Sequence, residues 1–420
     1  MLILSLAFKS LFNRRISALL TIISIAFSIT LLLGVERISD GARKSFESTL
    51  SGTDLIVGAR GGSTQLLLYT VFRVGNPVNN ISWESYQNFA QHREVAWTIP
   101  ITLGDSHRGF RVIGTNQDYF KHYRYGRKKN LSFAEGQMFE DVFDAVLGAD
   151  VAAELGYELN QNIVLAHGIT EVSFQQHEDK PFRVVGILTK TGTPVDRAIH
   201  VSLEGIEAMH IDWQNGVPPR PGEGVAADAV RTHDLTPTSI TAFLIGLRSK
   251  FGIFHVQRAI NEYPDEPLTA ILPGVTLGDL WRTVNIADIG LRIISAFVVL
   301  TGLIGMLTAI LTTLNERRRE MAILRSVGAG PRHIFGLLVF EALLLTLFGC
   351  LLGLVLLYLM LFIAQPLIET QFGMFLPVSG LSIYDLSVLG MILFAALLMS
   401  SLPAWRAYRQ SLADGLSVQV

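Results

Sequence analysis

The chain has 420 residues, 50% hydrophobic and 17% charged, with a mean hydropathy of +0.39. That is too apolar for an ordinary soluble protein and too polar for one wholly embedded, so a polytopic membrane protein with a sizeable soluble part is expected. A net charge of −2 argues against a nucleic-acid binder that relies on phosphate neutralisation, and Cys350, the single cysteine, rules out an internal disulfide.

Residues 1–15 pattern as a short amphipathic cytoplasmic helix, with Leu2, Leu6, Phe8, Leu11 and Phe12 on one side. Ser17–Val35 carries no charge and is long enough to cross a hydrocarbon core of roughly 30 Å. A cleaved signal peptide would have a shorter apolar region ending at a small-x-small site; Gly34-Val35-Glu36-Arg37 offers none, so 16–35 reads as an uncleaved first span. Beyond it Val35, Ile38, Ala42, Phe46 and Leu50 recur at three- and four-residue spacing with charges between them, which predicts a stalk helix over 36–50.

Strands and helices then alternate. Strands are predicted over Ala96–Leu103 and Gly109–Gly114, joined by the polar turn Gly104–Arg108, and over Asn162–Ala166, Phe182–Leu188, Ala198–Val201 and Ser239–Leu247. Helices are predicted over Ala145–Leu155, Leu203–Met209 and Gly252–Glu262, and Val217–Gly224 reads as a mobile loop. The sum is an α+β domain in two lobes, filling an exported segment over 36–292. Leu277, Leu280, Trp281, Val284 and Leu291 predict a second stalk helix over 277–292 as the chain returns to the membrane. If continuous from Leu277 to Leu314, that helix would be about 57 Å long at 1.5 Å per residue, a rigid lever; a break at Gly290 or Pro273 would reduce it to packing.

Three further spans follow, over 293–314, 334–364 and 383–402. Between the second and third lies a cytoplasmic segment over 315–333, rich in arginine. Its run Glu316-Arg317-Arg318-Arg319-Glu320 has no place in hydrocarbon, where each charge costs roughly 2.5–3.5 kcal/mol at a helix centre. Lys9, Arg14 and Arg15 precede the first span, and Arg406 and Arg409 follow the fourth, in the tail 403–420. The short loop 365–382 has no Lys or Arg. The positive-inside rule therefore places both termini in the cytoplasm and the large domain outside.

Glu341 is the one carboxylate well inside an apolar run. It reads either as a proton or cation site or as a residue packed near the interface, less than two turns from Ile334. Gly349 and Gly353 form a GxxxG, and Gly302 with Gly305 a looser small-residue pair, both suited to close helix approach. No GxxxxGK[ST], HExxH, GxSxG or CxxC occurs, so no catalytic or nucleotide-binding chemistry is expected of the chain. Gly58-Ala59-Arg60-Gly61-Gly62-Ser63 reads as a flexible loop rather than a phosphate cradle. All histidines but His333 fall in the exported segment. Asp105 and His107, with His122 beyond them, are the weak metal candidates, and His177-Glu178-Asp179 is a second polar cluster; neither spacing matches a zinc pattern.

The order of one span, a large exported domain and three spans resembles the ABC permeases of the MacB/FtsX type. The resemblance is specific over Asn315–Ala329, similar to the family's E-R-R-x-E-[IM]-A-[IL]-L-R-[AS]-[LV]-G-A run. It continues through Phe340-Glu341-Ala342, Gly349 and Gly353, through Val146-Leu147-Gly148-Ala149-Asp150-Val151-Ala152 with Leu155-Gly156, and through Pro403-Ala404-Trp405-Arg406-Ala407. It is strong in the last 130 residues and loose between 160 and 275. It implies that Glu316, Arg317, Arg318, Arg319, Glu320, Leu324, Arg325 and Gly328 contact a cytoplasmic ATPase on a separate polypeptide, with ATP and Mg bound there. It also implies a homodimer or heterodimer of permeases in a bacterial inner membrane, working as a lever, with room for a periplasmic or outer-membrane partner.

Three functions follow in order: a permease that couples a partner's ATP hydrolysis to export or extraction of a lipophilic or protein cargo; a signalling subunit that uses the same lever to activate an exported partner; and a zinc-linked transport component.

Overall fold

The computed structural model describes residues 14–167, 179–212, 225, 227–316, 323, 325–372 and 380–409. They form two compact units, one of long helices and one built on a sheet.

The helical unit contains four helices long and apolar enough to cross a membrane, in Arg15–Thr49, Pro273–Glu316, Pro331–Phe372 and Ile383–Arg409. Ile25, Ile29 and Leu33 meet Leu303, Met306 and Ile310, with Leu338 and Ala342 from the third helix and Val388, Ile392 and Ala396 from the fourth. Three- and four-residue steps recur on every helix, so each contributes one stripe to a shared core. The second helix runs unbroken through Gly290, and Pro273 stands at its first turn, where a missing N–H costs nothing. The third continues as helix through Pro366 to Phe372, past Gln365, where the short loop was expected to begin.

In the second unit a mixed sheet runs in the spatial order Leu268–Ile271, Leu55–Ala59, Ala242–Leu247, Val95–His107, Phe110–Thr115, Ala198–Ser202, Asp144–Leu147, Phe182–Leu188, Phe133–Gly136. Phe110–Thr115 with Ala198–Ser202, and Asp144–Leu147 with Phe182–Leu188, pair in parallel; the other pairs are antiparallel. The first half of the long strand Val95–His107 pairs with Ala242–Leu247 and its second half with Phe110–Thr115, so the expected two lobes are two halves of one sheet. The end of the first long helix belongs to this unit. Phe46 lies 4.4 Å from Phe72 and 5.6 Å from Trp281, ring centre to ring centre, and the Tyr123 hydroxyl donates to the Thr49 carbonyl at 2.9 Å.

Three local expectations change. Ala145–Leu155 is not one helix: Asp144–Leu147 is a buried strand, and the helix begins at Ala149. Gly148 separates them, packed so tightly that a Cβ would lie 2.4 Å from the carbonyl oxygens of Val195 and Asp196. The turn expected at Gly104–Arg108 is strand as far as His107; the reversal falls on Arg108 and Gly109, both at positive φ (47° and 86°). The glycine-rich stretch near Gly58 is a strand, turn and short helix, with Leu55–Ala59 paired on both edges and Ser63–Leu67 folded back so that a Cβ on Gly58 would meet Leu66 at 2.6 Å.

Candidate functional site

The first long helix organises the helical unit. Gly349 and Gly353 lie against it: a Cβ on Gly349 would come within 2.6 Å of Ile25, and one on Gly353 within 2.9 Å of the Ala26 carbonyl oxygen. The Thr30 hydroxyl donates to the Gly353 carbonyl at 3.0 Å, a polar bond that close approach makes possible. On the second helix, Gly302 faces the Ser28 hydroxyl, which donates to the Ser24 and Val298 carbonyls at 2.8 and 3.2 Å. Gly305 borders open space; a Cβ there would meet nothing within 4 Å. Glu341 is buried, and lines a small cavity with Arg14, Ser17 and Thr21.

Past the apolar run of the first helix stand two adjacent charges that look to different neighbours. Glu36 Oε2 lies 3.0 Å from Arg292 on the second helix, and Arg292 also reaches Asp288 at 2.8 Å, one turn away. Arg37 pairs with Asp385 at the start of the fourth helix and donates to the Gly380 carbonyl at 2.7 Å. Asp385 accepts the Ser382 N–H at 2.7 Å, and the Ser382 hydroxyl caps the helix by accepting the Asp385 N–H at 3.1 Å. Consecutive residues on a helix point about 100° apart, so Glu36 and Arg37 bind the first helix to two partners at one level. Sliding any of the three against the others breaks at least one charge pair. Sequence reasoning took Glu36 and Arg37 only as charges spacing a stalk helix and gave Asp288, Arg292 and Asp385 no role; the i,i+4 pair Asp288 and Arg292 was the one legible signal.

Of the segment assigned to ATPase contact, Arg317, Arg318, Arg319, Glu320 and Leu324 lie outside the described residues, and Glu316 is described only as the last residue of its helix. Arg325 and Gly328 are described. Gly328 closes a helical turn with its N–H on the Arg325 carbonyl at 3.1 Å and a φ of 105°, a conformation that favours glycine. Beside it Ile323 and Val327 are exposed, 60% and 82%.

Residues 18–232 match the family described as MacB-like periplasmic core domain, and residues 292–412 the FtsX-like permease C-terminal family. The chain belongs to the MacB/FtsX family of ABC transporter permeases. The permease is 22% identical over 363 residues to an uncharacterized ABC transporter permease of Methanocaldococcus jannaschii, covering 84% of this chain and 82% of that protein. It is 23% identical to the pyoverdine export ATP-binding/permease protein PvdT of Pseudomonas savastanoi pv. phaseolicola over 83% of its own length, and spans 50% of that relative's. Among solved structures, the periplasmic region of MacB from Actinobacillus actinomycetemcomitans aligns with 56% of this chain and 94% of its own, at 10% identity and a TM-score of 0.34. The permease is thus a multi-pass membrane component of an ABC transporter of the MacB/FtsX type, consistent with export.

The three weak metal candidates of the permease each engage other neighbours. His107 holds the Val164 carbonyl at 2.6 Å and the Tyr157 hydroxyl at 2.8 Å, and burial pushes its pKa down. Asp105 faces His210 at 3.8 Å, while His122 stacks on Trp97 at 5.2 Å. Among the described residues no three His, Cys, Asp or Glu side chains gather as metal ligands would. His177 and Glu178, of the second polar cluster, and the loop 217–224 lie outside the described residues.

Proposed function

We propose that this permease couples ATP hydrolysis on a partner ATPase subunit, which holds the ATP and Mg, to movement of its sheet domain, and thereby exports a lipophilic or peptide cargo. The observation that carries this reading is the second long helix, 44 residues without interruption, about 66 Å at 1.5 Å per residue. A bilayer core takes roughly 30 Å, so one rod has length to spare as a lever. No GxxxxGK[ST] occurs in the 420 residues, which agrees with nucleotide chemistry outside them. The contact surface for the ATPase is the arginine-rich segment, with exposed Ile323 and Val327 beside it. Two copies, alike or different, face two ATPases. Both termini and that segment lie in the cytoplasm.

Reconstitution with the co-purifying ATPase tests this. Charge reversal Arg319→Glu with Glu320→Arg reduces the permease-stimulated hydrolysis at least tenfold while the chain stays inserted and folded. Unchanged stimulation overturns the coupling assignment. Cysteine labelling at Arg318→Cys in a Cys350→Ser background reports from the cytoplasmic side; labelling from the other side reverses the orientation.

A further inference from the structure

In the sheet domain the short helix Ser63–Leu67 continues through a wider turn over Leu68–Phe72, and Arg73 ends it at a φ of 61°. A non-glycine residue in that left-handed region costs about 1–3 kcal/mol, so the placement of Arg73 calls for a use. Its Nη1 donates to the Thr70 carbonyl, while its Nε is buried and has no partner among the described residues. Arg111, on the strand Phe110–Thr115, reaches the same turn. Its Nη2 donates to the Gly75 carbonyl at 2.9 Å and to Asn76 Oδ1 at 3.3 Å. Burial, and after it the positive charge of Arg73, push the Arg111 pKa down, so each guanidinium stands in the other's field. Both side chains are half-buried, and among the described residues no carboxylate pairs with either. Like charges gathered without a counter-ion repel, and burial raises the cost. On the same turn Val74 and Val78 are exposed, 56% and 77%.

We infer that Arg73 and Arg111 bind a phosphomonoester carried on an apolar body, the phosphate between the two guanidinium groups and the apolar part against Val74 and Val78. Two unpaired positive charges assign a dianion: a phosphomonoester carries about −1.5 to −2 at pH 7, where a carboxylate carries one charge. Planar forks of donors suit its oxygens. The exposed valines assign the apolar body. As a statement about the exported cargo this rests on the reading proposed above; as a statement about binding it needs no ATPase and is measured without one.

Isothermal titration calorimetry of the full chain in non-ionic detergent tests it, with hexyl phosphate, inorganic phosphate and hexanoate as probes at neutral pH. Hexyl phosphate binds most tightly of the three. Arg111→Gln weakens it roughly tenfold or more, the loss expected for a charge-assisted bond. Arg73→Gly does the same while the melting temperature holds or rises, because glycine accepts the left-handed φ. Arg258→Gln, from an exposed pair with Glu262, leaves the affinity unchanged. Equal binding by the unaltered and Arg111→Gln chains overturns the proposal, and so does an equal loss in Arg258→Gln, which would make the attraction a general one. Inorganic phosphate binding as tightly as hexyl phosphate overturns the apolar body; hexanoate binding as tightly overturns the dianion. Binding that persists while hexyl phosphate fails to stimulate the co-purifying ATPase supports the site and counts against the export reading.

Discussion

Each of the two units is held together internally by different means. In the sheet domain whole strands are sealed: all of Ala198–Ser202 and Asp144–Leu147 are buried, and side chains such as Phe182, Phe243 and Ile245 expose nothing. In the helical unit only 28–39% of each span's most apolar stretch is buried, and contact concentrates at glycines and at a few polar bonds. Lipid offers helices no hydrophobic reason to associate, so close backbone approach and satisfied polar groups must do it. The sheet domain is therefore a finished interior. The helical unit leaves most of its span surface exposed, and its few tight contacts each matter more.

That contrast breaks or sharpens at single residues. The largest effect belongs to Gly353→Leu, because the first atoms met are backbone and a branched side chain, Ala26 O at 2.9 Å and Ile29 Cβ at 3.0 Å, which cannot swing aside. A cost of about 3 kcal/mol or more is expected, seen as a collapsed melting transition in detergent. Gly305→Leu, one helix away with open space around it, should cost under about 1 kcal/mol. Equal losses would mean that the glycines act through helix propensity and not through contact. Next comes Arg37→Ala. It strands Asp385, whose side chain is 2% exposed, and breaking a pair buried on that side costs about 3 kcal/mol. Arg43→Ala, in the exposed pair with Glu47, should cost about 0.3–0.5 kcal/mol.

The sheet domain should fail through protonation instead. His200 is fully buried, its ring 4.8 Å from Tyr119, and burial together with the nearby positive charge of Arg73 lowers its pKa from 6.5 to about 3. Because the folded pKa lies below the unfolded one, the unfolded chain binds the proton first. Stability is full above pH 6.5 and is lost as pH falls toward 3, about 2 kcal/mol of it by pH 5. His200→Leu should flatten that slope in pH-dependent melting. A slope of the same size in the variant would trace acid sensitivity to other groups.

Much of this architecture was legible in the residues, for reasons that differ by region. The spans could be read because a charge-free run the length of Ser17–Val35 has few other homes. The stalk could be read because Phe46 and Leu50 kept helical spacing among charges, and the structure packs both against the sheet domain's core. Strand limits were harder. Ala145-Val146-Leu147 followed by Ala149, Val151 and Ala152 fits either period, and only pairing with strands on both sides decides. Asp105, Ser106 and His107 read as a turn because they are polar, yet they are buried, the strand there pairing with Ala166–His167 and His107 holding Val164 and Tyr157. The ion pairs between helices were out of reach: Arg37 and Asp385 are 348 positions apart, and no local pattern links them. The arginine-rich segment is the opposite case, recognisable by resemblance.

A small stability effect, and the most informative about mechanism, belongs to Arg292. Its side chain is 45% exposed, so its attraction to Glu36 and Asp288 is screened by water, and Arg292→Ala should cost only about 1 kcal/mol. Removing the cation leaves two carboxylates facing each other across the first and second helices. Glu36→Gln added to Arg292→Ala should therefore recover part of the loss, and a double-mutant cycle by melting measures it. The functional expectation runs the other way. If the second helix transmits force, a pair that costs little to lose but fixes the level at which two helices meet should uncouple ATPase stimulation more than it destabilises the fold. A variant whose coupling falls only in proportion to its stability would make Glu36 and Arg292 a fastener, and leave Arg37 with Asp385 as the contact that sets helix position.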